Sequence, residues 1–225
     1  SPDMYSKHLA EMEPVKPVAY QAGIKGAKDD DFGATPLGSG GPDLYGYKWV
    51  DSDEPGGPVF NWVDISETGT TAMTTGDDSN LGPFPIGFPF EFYGNTFTDF
   101  RISSNGFISF SSTATAYSNT ALPNSSSPVN MIAPFWDDLN LSAAGSGDIF
   151  YDMVHGDLIV MYENIMPYSS ANSGAGPFTF EVILSPSGRI TMQYLSLGTG
   201  ASSYTVGIQD ATGTMAFLEL EAMGV

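Results

Sequence analysis

Short runs of alternating apolar and polar residues, each closed by Gly, Pro or Asn, constrain this chain more than any other feature. Residues 178–184 and 189–195 show the pattern, with Pro186-Ser187-Gly188 between them. A period of two places successive side chains on opposite faces of a strand. No stretch has the 3.6-residue period of an amphipathic helix. The pattern predicts about a dozen strands and no helix, in an all-β antiparallel β-sandwich or jelly roll with an extended N-terminal arm.

Two local signals refine the strand prediction. The segment 84–93 contains Pro85 and Pro89, which predicts an edge or bulged strand because proline cannot donate to a ladder. Asn105-Gly106 lies between two alternating runs and predicts a hairpin turn. The strands are predicted at 45–50, 59–65, 84–93, 97–103, 107–110, 131–136, 148–154, 157–165, 178–184, 189–195, 204–209 and 215–220.

The first part of the chain differs from the rest. Residues 1–42 contain five prolines and a Gly-rich stretch at 38–41, which predicts an arm and linker before a β-sandwich domain at 43–225. The mildly apolar segment 15–24 can form one extended strand. That strand either adds to the sheet of a neighbouring molecule or tucks into its own sheet. Its apolar residues, the predicted self-association residues, are Val15, Val18, Tyr20 and Ile24.

The charge balance excludes two classes of partner. The chain has 26 acidic and 7 basic residues, for a net charge of −19. Nucleic acids and anionic membranes are bound mainly through Lys and Arg, so neither is expected as a partner. No run of 18 apolar residues is present, so no transmembrane segment is expected.

The residues give little support for catalysis. There is no cysteine and no G-x-S-x-G sequence, and the two histidines are His8 in the arm and His155 in a predicted turn. A Ser-His-Asp set or a histidine zinc site is therefore poorly supported. Paired carboxylates could support glycoside hydrolysis, but the spacing singles out no pair. We expect no enzyme and name no catalytic residue.

The acidic turns fit calcium better, because this ion takes 6–8 hard oxygen ligands. No Lys lies near these clusters to offset their charge, although solvated polar turns are the alternative explanation. None is an EF-hand, since Pro55 interrupts the first. The candidate calcium ligands are Asp51, Asp53, Glu54, Asp77, Asp78, Asp137 and Asp138.

Several stretches together resemble a known module. They include Gly41 to Pro58, Ile86 to Gly94, the sequence SSNGFISF at 103–110 and APFWDDL at 133–139. In this order, over about 41–210, they resemble a β-sandwich module of secreted bacterial surface proteins and peptidase-associated proteins. The stretch from SSNGFISF to APFWDDL is similar to nidogen-type domains. The resemblance implies an extracellular, non-catalytic module and carries over no active site.

Two functions remain open. In the first, the chain is a structural subunit of a bacterial surface assembly or filament, and its arm adds as a strand to the next copy. Lysines at positions 7, 16, 25 and 28 would then face an acidic neighbour. In the second, it is an accessory or adhesive domain of a larger secreted hydrolase or adhesin. That domain would bind a glycan or a cell-surface protein with the help of calcium. Either function places the protein outside the cell or at its surface.

Overall fold

A computed structural model describes residues 17–21, 38–52, 54–55, 57–168, 175–198 and 203–222, with the backbone alone for 17–21 and 217–222. No described residue is helical, which confirms the all-β prediction. The strands within these residues are β1 (Pro17–Gln21), β2 (Ser39–Gly40), β3 (Lys48–Val50), β4 (Thr70–Met73), β5 (Asn80–Phe92), β6 (Asn95–Ser103), β7 (Phe107–Ser109), β8 (Met131–Trp136), β9 (Ile149–Val154), β10 (Asp157–Ile165), β11 (Phe178–Leu184), β12 (Ile190–Ser196), β13 (Tyr204–Gln209) and β14 (Ala216–Ala222).

These strands form two sheets. The eight-stranded sheet has the order β2-β3-β1-β12-β11-β10-β9-β4, and the six-stranded sheet has the order β14-β13-β8-β7-β6-β5. Every strand pair is antiparallel except the two that β1 makes, with β12 and with β3. The predicted antiparallel sandwich is therefore confirmed, with one parallel strand inside it.

The inner faces of the two sheets form the core. Phe180 pairs with Tyr194 across β11 and β12, and both are fully buried, as the alternation predicted. From the opposite sheet, the ring of Phe135 lies 4.7 Å from that of Phe178 and 5.5 Å from that of Phe180. Aromatic contacts of this kind stabilise the sandwich beyond the burial of apolar area.

The proline-rich strand lies where its sequence predicted. β5 is the edge strand of the six-stranded sheet, and its pairing with β6 shifts register twice. Its inward residues Ile86, Phe90 and Phe92 are fully buried. Edge strands and bulges are the places in a sheet where proline, which has no N–H to donate, is tolerated.

The predicted strand at 59–65 is not a strand in the structure. Residues 58–65, called the strap below, cross the outer face of the eight-stranded sheet. The backbone N–H of Asn61 donates to Gln193 Oε1 at 2.8 Å, and that of Val63 donates to Glu181 Oε1 at 3.2 Å. The alternation of apolar and polar residues arises because one side of the strap packs on the sheet, although the strap pairs with no neighbouring strand. Conversely β4, whose sequence lacks alternation, was not predicted.

Part of the predicted arm lies in the protein's own sheet. β1 contains Val18 and Tyr20 and is hydrogen-bonded between β12 and β3, with Val18 opposite both Ile190 and Trp49. This is the second of the two arrangements that the sequence left open. Val15 and Ile24 lie outside the described residues. Strand addition to a neighbouring copy, and a separate arm at 1–42, stay predictions.

Candidate metal centre

Three acidic side chains from distant parts of the chain converge at one place. A carboxylate oxygen from each of Asp77, Asp78 and Asp138 lies within 4.8 Å of the other two. Among the described residues, no other group of three or more acidic or histidine side chains is this close. Two oxygens that bind one calcium ion at about 2.3–2.6 Å can lie at most about 5 Å apart. The spacing therefore fits a shared divalent cation.

The fold brings these residues together through two connections. Asp77 and Asp78 lie between β4 and β5, and Asp138 follows the end of β8. The backbone N–H of Leu141 donates to the carbonyl oxygen of Gly76 at 2.8 Å, which holds the two connections side by side. Two of the predicted acidic pairs thus contribute to one site.

Asn105 positions both connections and was missed as a site residue. Its fully buried side chain donates from Nδ2 to Asp78 Oδ1 at 2.9 Å, and its Oδ1 accepts the N–H of Leu139 at 3.0 Å. From the sequence, Asn105 was predicted only as part of a hairpin turn. In the structure the φ of Asn105 is not positive. The role of asparagine at this position is therefore the hydrogen bonds that its side chain makes. Asn105 is far along the chain from both acidic pairs, so the sequence contained no local pattern that would indicate this contact.

The neighbours of Asn105 complete the scaffold. The hydroxyl of Ser104 donates to the carbonyl oxygen of Asp77 and accepts the N–H of Ser79 at 2.9 Å. Gly106 has a φ of +74°, and a Cβ there would overlap the carbonyl oxygen of Phe135. The predicted hairpin is present, and its turn residues Ser104 and Asn105 hydrogen-bond to Asp77 and Asp78.

The acidic pair after β8 divides between the interior and the site. Asp137 is buried, and its Oδ2 has no hydrogen-bond partner among the described residues. Burial raises the pKa of Asp137 to about 7. Asp138 turns towards Asp77 and Asp78 instead. Asp137 is therefore a buried neighbour of the cluster and not one of its converging ligands.

Electrostatic repulsion acts within the cluster. Burial and then the charges of Asp78 and Asp77 raise the pKa of Asp138 to about 6. Burial and then the charge of Asp78 raise the pKa of Asp77 above its ordinary value. The buried Oδ1 of Asp77 has no hydrogen-bond partner among the described residues. A bound cation would relieve the repulsion and give this oxygen a partner.

The remaining predicted ligands do not join this cluster. Asp51 is buried, and its Oδ1 accepts the N–H of Glu54 at 3.2 Å, so its carboxylate closes its own turn. Asp53 lies outside the described residues. Asp51 and Glu54 are not brought together with a third described acidic residue.

A groove of about 350 Å³ adjoins the cluster. Asp78 and residues 115–118 line it, and the ring of Tyr117 is 52% exposed. The loop is held in place because Trp136 Nε1 donates to the carbonyl oxygen of Ala116 at 2.9 Å. Trp136 and Trp49 are buried. Tyr117, and not one of these two tryptophans, is thus the exposed aromatic side chain beside the acidic cluster.

Comparison with known families identifies the module. A family model described as NIDO related matches residues 59–224, most of the chain. The chain belongs to this NIDO-related family. The match confirms the resemblance to nidogen-type domains, and it contains Asp77, Asp78, Asn105 and Asp138. The acidic cluster thus lies within the NIDO-related domain. No curated protein and no solved structure shows a significant match.

The sequence predicted no transmembrane segment in this NIDO-related chain, and the described residues bear on that prediction. Those residues contain no helix of the length and apolarity needed to cross a membrane.

Proposed function

We propose that this chain is a non-catalytic, extracellular binding module of a bacterial surface or secreted protein, with calcium held by Asp77, Asp78 and Asp138. The convergence of these three carboxylates within 4.8 Å carries the proposal. The charges acting on Asp138 come from Asp78 and Asp77, and no basic side chain of the described residues is among them. Calcium would balance them and hold the two connections of the site together.

The groove beside the cluster is the proposed ligand surface. Tyr117 offers an exposed aromatic face and Asp78 a carboxylate, and both line the same groove. Aromatic faces pack on the C–H faces of sugars, and a neighbouring calcium ion binds hydroxyl oxygens. A glycan therefore suits this surface.

Glycoside hydrolysis is the competing chemistry for these carboxyl groups. Retaining glycosidases place two carboxyl groups about 5–5.5 Å apart, one of them with a raised pKa. Here three acidic groups repel one another, which fits a cation better than an acid and a nucleophile. Release of reducing sugar from polysaccharides by the purified protein would contradict the non-catalytic assignment.

Calorimetry and thermal unfolding test the calcium site. We expect calcium at about 100 times its Kd to add about 2.7 kcal/mol to the free energy of unfolding, because the ion binds only the folded form. For a chain of this size that raises the Tm by roughly 5–10 °C. Asp138→Asn should raise the Tm in metal-free buffer, since it removes repulsion, and should abolish the calcium increment. The matched control is Asp99→Asn, which removes an exposed carboxylate outside the cluster. A Tm indifferent to calcium overturns the site.

The glycan surface has its own test. The calcium-dependent part of the binding to an array of glycans should be lost in Tyr117→Ala. It should persist in Leu195→Ala, which removes an exposed apolar side chain from the other sheet. Calcium-dependent binding to a protein ligand without any glycan signal would assign the groove to a protein partner instead.

A second candidate function is self-association by strand exchange. β1 lies parallel between β12 and β3, and residues 22–38 separate it from β2 along the chain. If β1 of one copy filled this position in another, the copies would be linked by backbone hydrogen bonds and could extend as a filament.

Deletion of residues 1–21 tests this candidate. A peptide spanning residues 15–24 should bind to the truncated chain, and with that peptide paired to β12 the chain should be monomeric by light scattering. A peptide of the same composition in scrambled order is the control. Polymers that persist after the deletion would contradict strand exchange through β1.

A further inference from the structure

A second cavity, distinct from the acidic cluster, lies on the outer face of the eight-stranded sheet. Its volume is about 320 Å³, at the lower end of the range of about 300–1,000 Å³ for small-ligand pockets. The strap forms one wall, and the β9–β10 and β11–β12 hairpins supply the rest. Its polar side chains are Asn61, His155, Asp157, Arg189, Thr191 and Gln193.

Most of these polar side chains have unused hydrogen-bonding capacity. Within the described residues, no hydrogen bond or ion pair engages the side chain of Asn61, His155, Asp157, Arg189 or Thr191. They present a guanidinium, an imidazole, a carboxylate, an amide and a hydroxyl to a single cavity. Convergent polar groups on an aliphatic surface are characteristic of small-molecule sites.

A basic side chain in this cavity is unusual, because the chain as a whole is strongly acidic. After Lys48 the sequence has 19 acidic residues and two basic ones, Arg101 and Arg189. Arg101 is engaged, because its Nε donates to Asn80 Oδ1 at 2.8 Å. Arg189 instead shares a cavity with His155. The Arg189 guanidinium, which no described residue engages, is thus placed where it can bind a negatively charged ligand.

The cavity is held in place by the strap and the hairpins. Gln193 Nε2 donates to the carbonyl oxygen of Asn61 at 2.9 Å and to Glu181 Oε1 at 2.7 Å. His155 occupies the two-residue turn between β9 and β10 with a φ of +54°, which few residues other than glycine adopt. A fixed wall and a fixed turn reduce the ordering cost of binding.

We propose that this cavity binds a uronic acid residue, a sugar that carries one carboxylate. Arg189 can donate two parallel hydrogen bonds to that carboxylate. Asn61, Thr191 and Asp157 can bond the sugar hydroxyls, which both donate and accept. Asp157 disfavours a multiply charged anion such as phosphate or sulfate. Its carboxylate would repel such an anion, which also has few N–H or O–H groups to donate to it. The exposed side chain of Val59 and the aliphatic Ile159 border the site and suit the C–H groups of the ring.

The net charge of −19 further restricts the ligand. A densely charged polyanion would be repelled by the acidic body at distances up to the Debye length, about 8 Å at physiological salt. A single uronate flanked by neutral sugars avoids this repulsion. The inference does not rest on calcium or on the groove at Tyr117.

Titration of the full chain with glucuronic acid tests the inference, with glucose as the uncharged control. The buffer is freed of metal with a chelating resin, so that the acidic cluster holds no ion. We expect saturable NMR shift changes at residues lining the cavity with glucuronic acid and none with glucose. Equal binding of the two sugars overturns the inference.

Three arginine variants locate the site. Arg189→Gln should weaken glucuronic acid binding at least tenfold, because it removes the bidentate donor. Arg101→Gln should change it less than twofold. Arg189→Lys, which keeps the charge and loses the fork geometry, should lie between them. Equal losses in the two Gln variants overturn the inference. An acetylated dipeptide with a free carboxylate is the competing probe. If it binds more tightly than glucuronic acid, the ligand is a protein C-terminus and the inference is overturned.

Discussion

The hydroxyl of Tyr162 on β10 lies 3.0 Å from the carbonyl oxygen of Ser103 on β6, so one side chain links the two sheets. The same hydroxyl lies 3.0 Å from the carbonyl oxygen of Phe107. The ring stacks on Phe180 with 4.6 Å between centroids, and burial raises the pKa of Tyr162 above its ordinary range. A neutral donor in the core thereby anchors the hairpin that carries Asn105.

Removing this hydroxyl tests the anchor. Tyr162→Phe should lower the free energy of unfolding by about 1–3 kcal/mol, because it leaves buried carbonyl oxygens without their donor. Urea unfolding measures the change. Tyr151→Phe is the matched control on β9, since no described residue hydrogen-bonds its hydroxyl, and it should change stability by less than about 0.5 kcal/mol. Equal effects of the two variants would show that the link contributes nothing.

The turn at Gly106 makes a sharper prediction. Gly106→Ala should cost roughly 2–4 kcal/mol, because the new Cβ combines a positive φ with overlap on the carbonyl oxygen of Phe135. Gly145→Ala separates the two effects. Gly145 has a φ of +86°, but a Cβ there meets nothing within 4 Å, so only about 1 kcal/mol should be lost. Thermal unfolding of both variants is the measurement, and similar losses would contradict the steric explanation.

Stability without metal should fall as the pH rises. The folded-state pKa values of Asp138 and Asp137 are raised from 3.8 to about 6 and about 7. The folded form thus holds protons that the unfolded form has released, and ionisation works against folding. We expect the Tm in metal-free buffer to decline between about pH 4 and about pH 7. Calcium should reverse the decline above about pH 6, since it binds the ionised carboxylates. A flat profile in metal-free buffer would contradict this electrostatic account.

Glu181 gives a separate pH signature under the strap. Its fully buried Oε2 has no hydrogen-bond partner among the described residues, and burial raises its pKa from 4.5 to about 8. The stability associated with its proton is present below about pH 4.5 and lost as the pH rises through about 8. Glu181→Gln is neutral and of equal size, so it should gain roughly 2–4 kcal/mol relative to wild type between about pH 5 and about pH 9. A difference that is independent of pH would show that Glu181 does not titrate in this range.

The strand pattern was predictable where alternation coincided with pairing. The inward faces of β11 and β12 and the edge position of β5 followed from period and proline placement alone. The strap shows the limit of this reasoning. Its alternation reflects packing of one side on a sheet, and its backbone bonds go to the side chains of Gln193 and Glu181. Periodicity reports which side is buried, and it does not report what the backbone pairs with.

The candidate site was predictable in residue type but not in assembly. Acidic turns indicated calcium, and the structure joins Asp77 and Asp78 with Asp138. Which turns meet depends on sheet order, which local sequence does not contain. Asn105 and the cavity at Arg189 were missed for the same reason, because each unites residues that are remote along the chain.

The place of β1 between β3 and β12 has a practical consequence for producing this protein. A recombinant fragment trimmed to the family boundary at residue 59 would lack all three strands at that side of the sheet. The main-chain groups of β12 would then face water along a full strand, and such an edge promotes fibrils and inclusion bodies. Cloning should therefore start ahead of Pro17, even though recognisable homology begins some forty residues later.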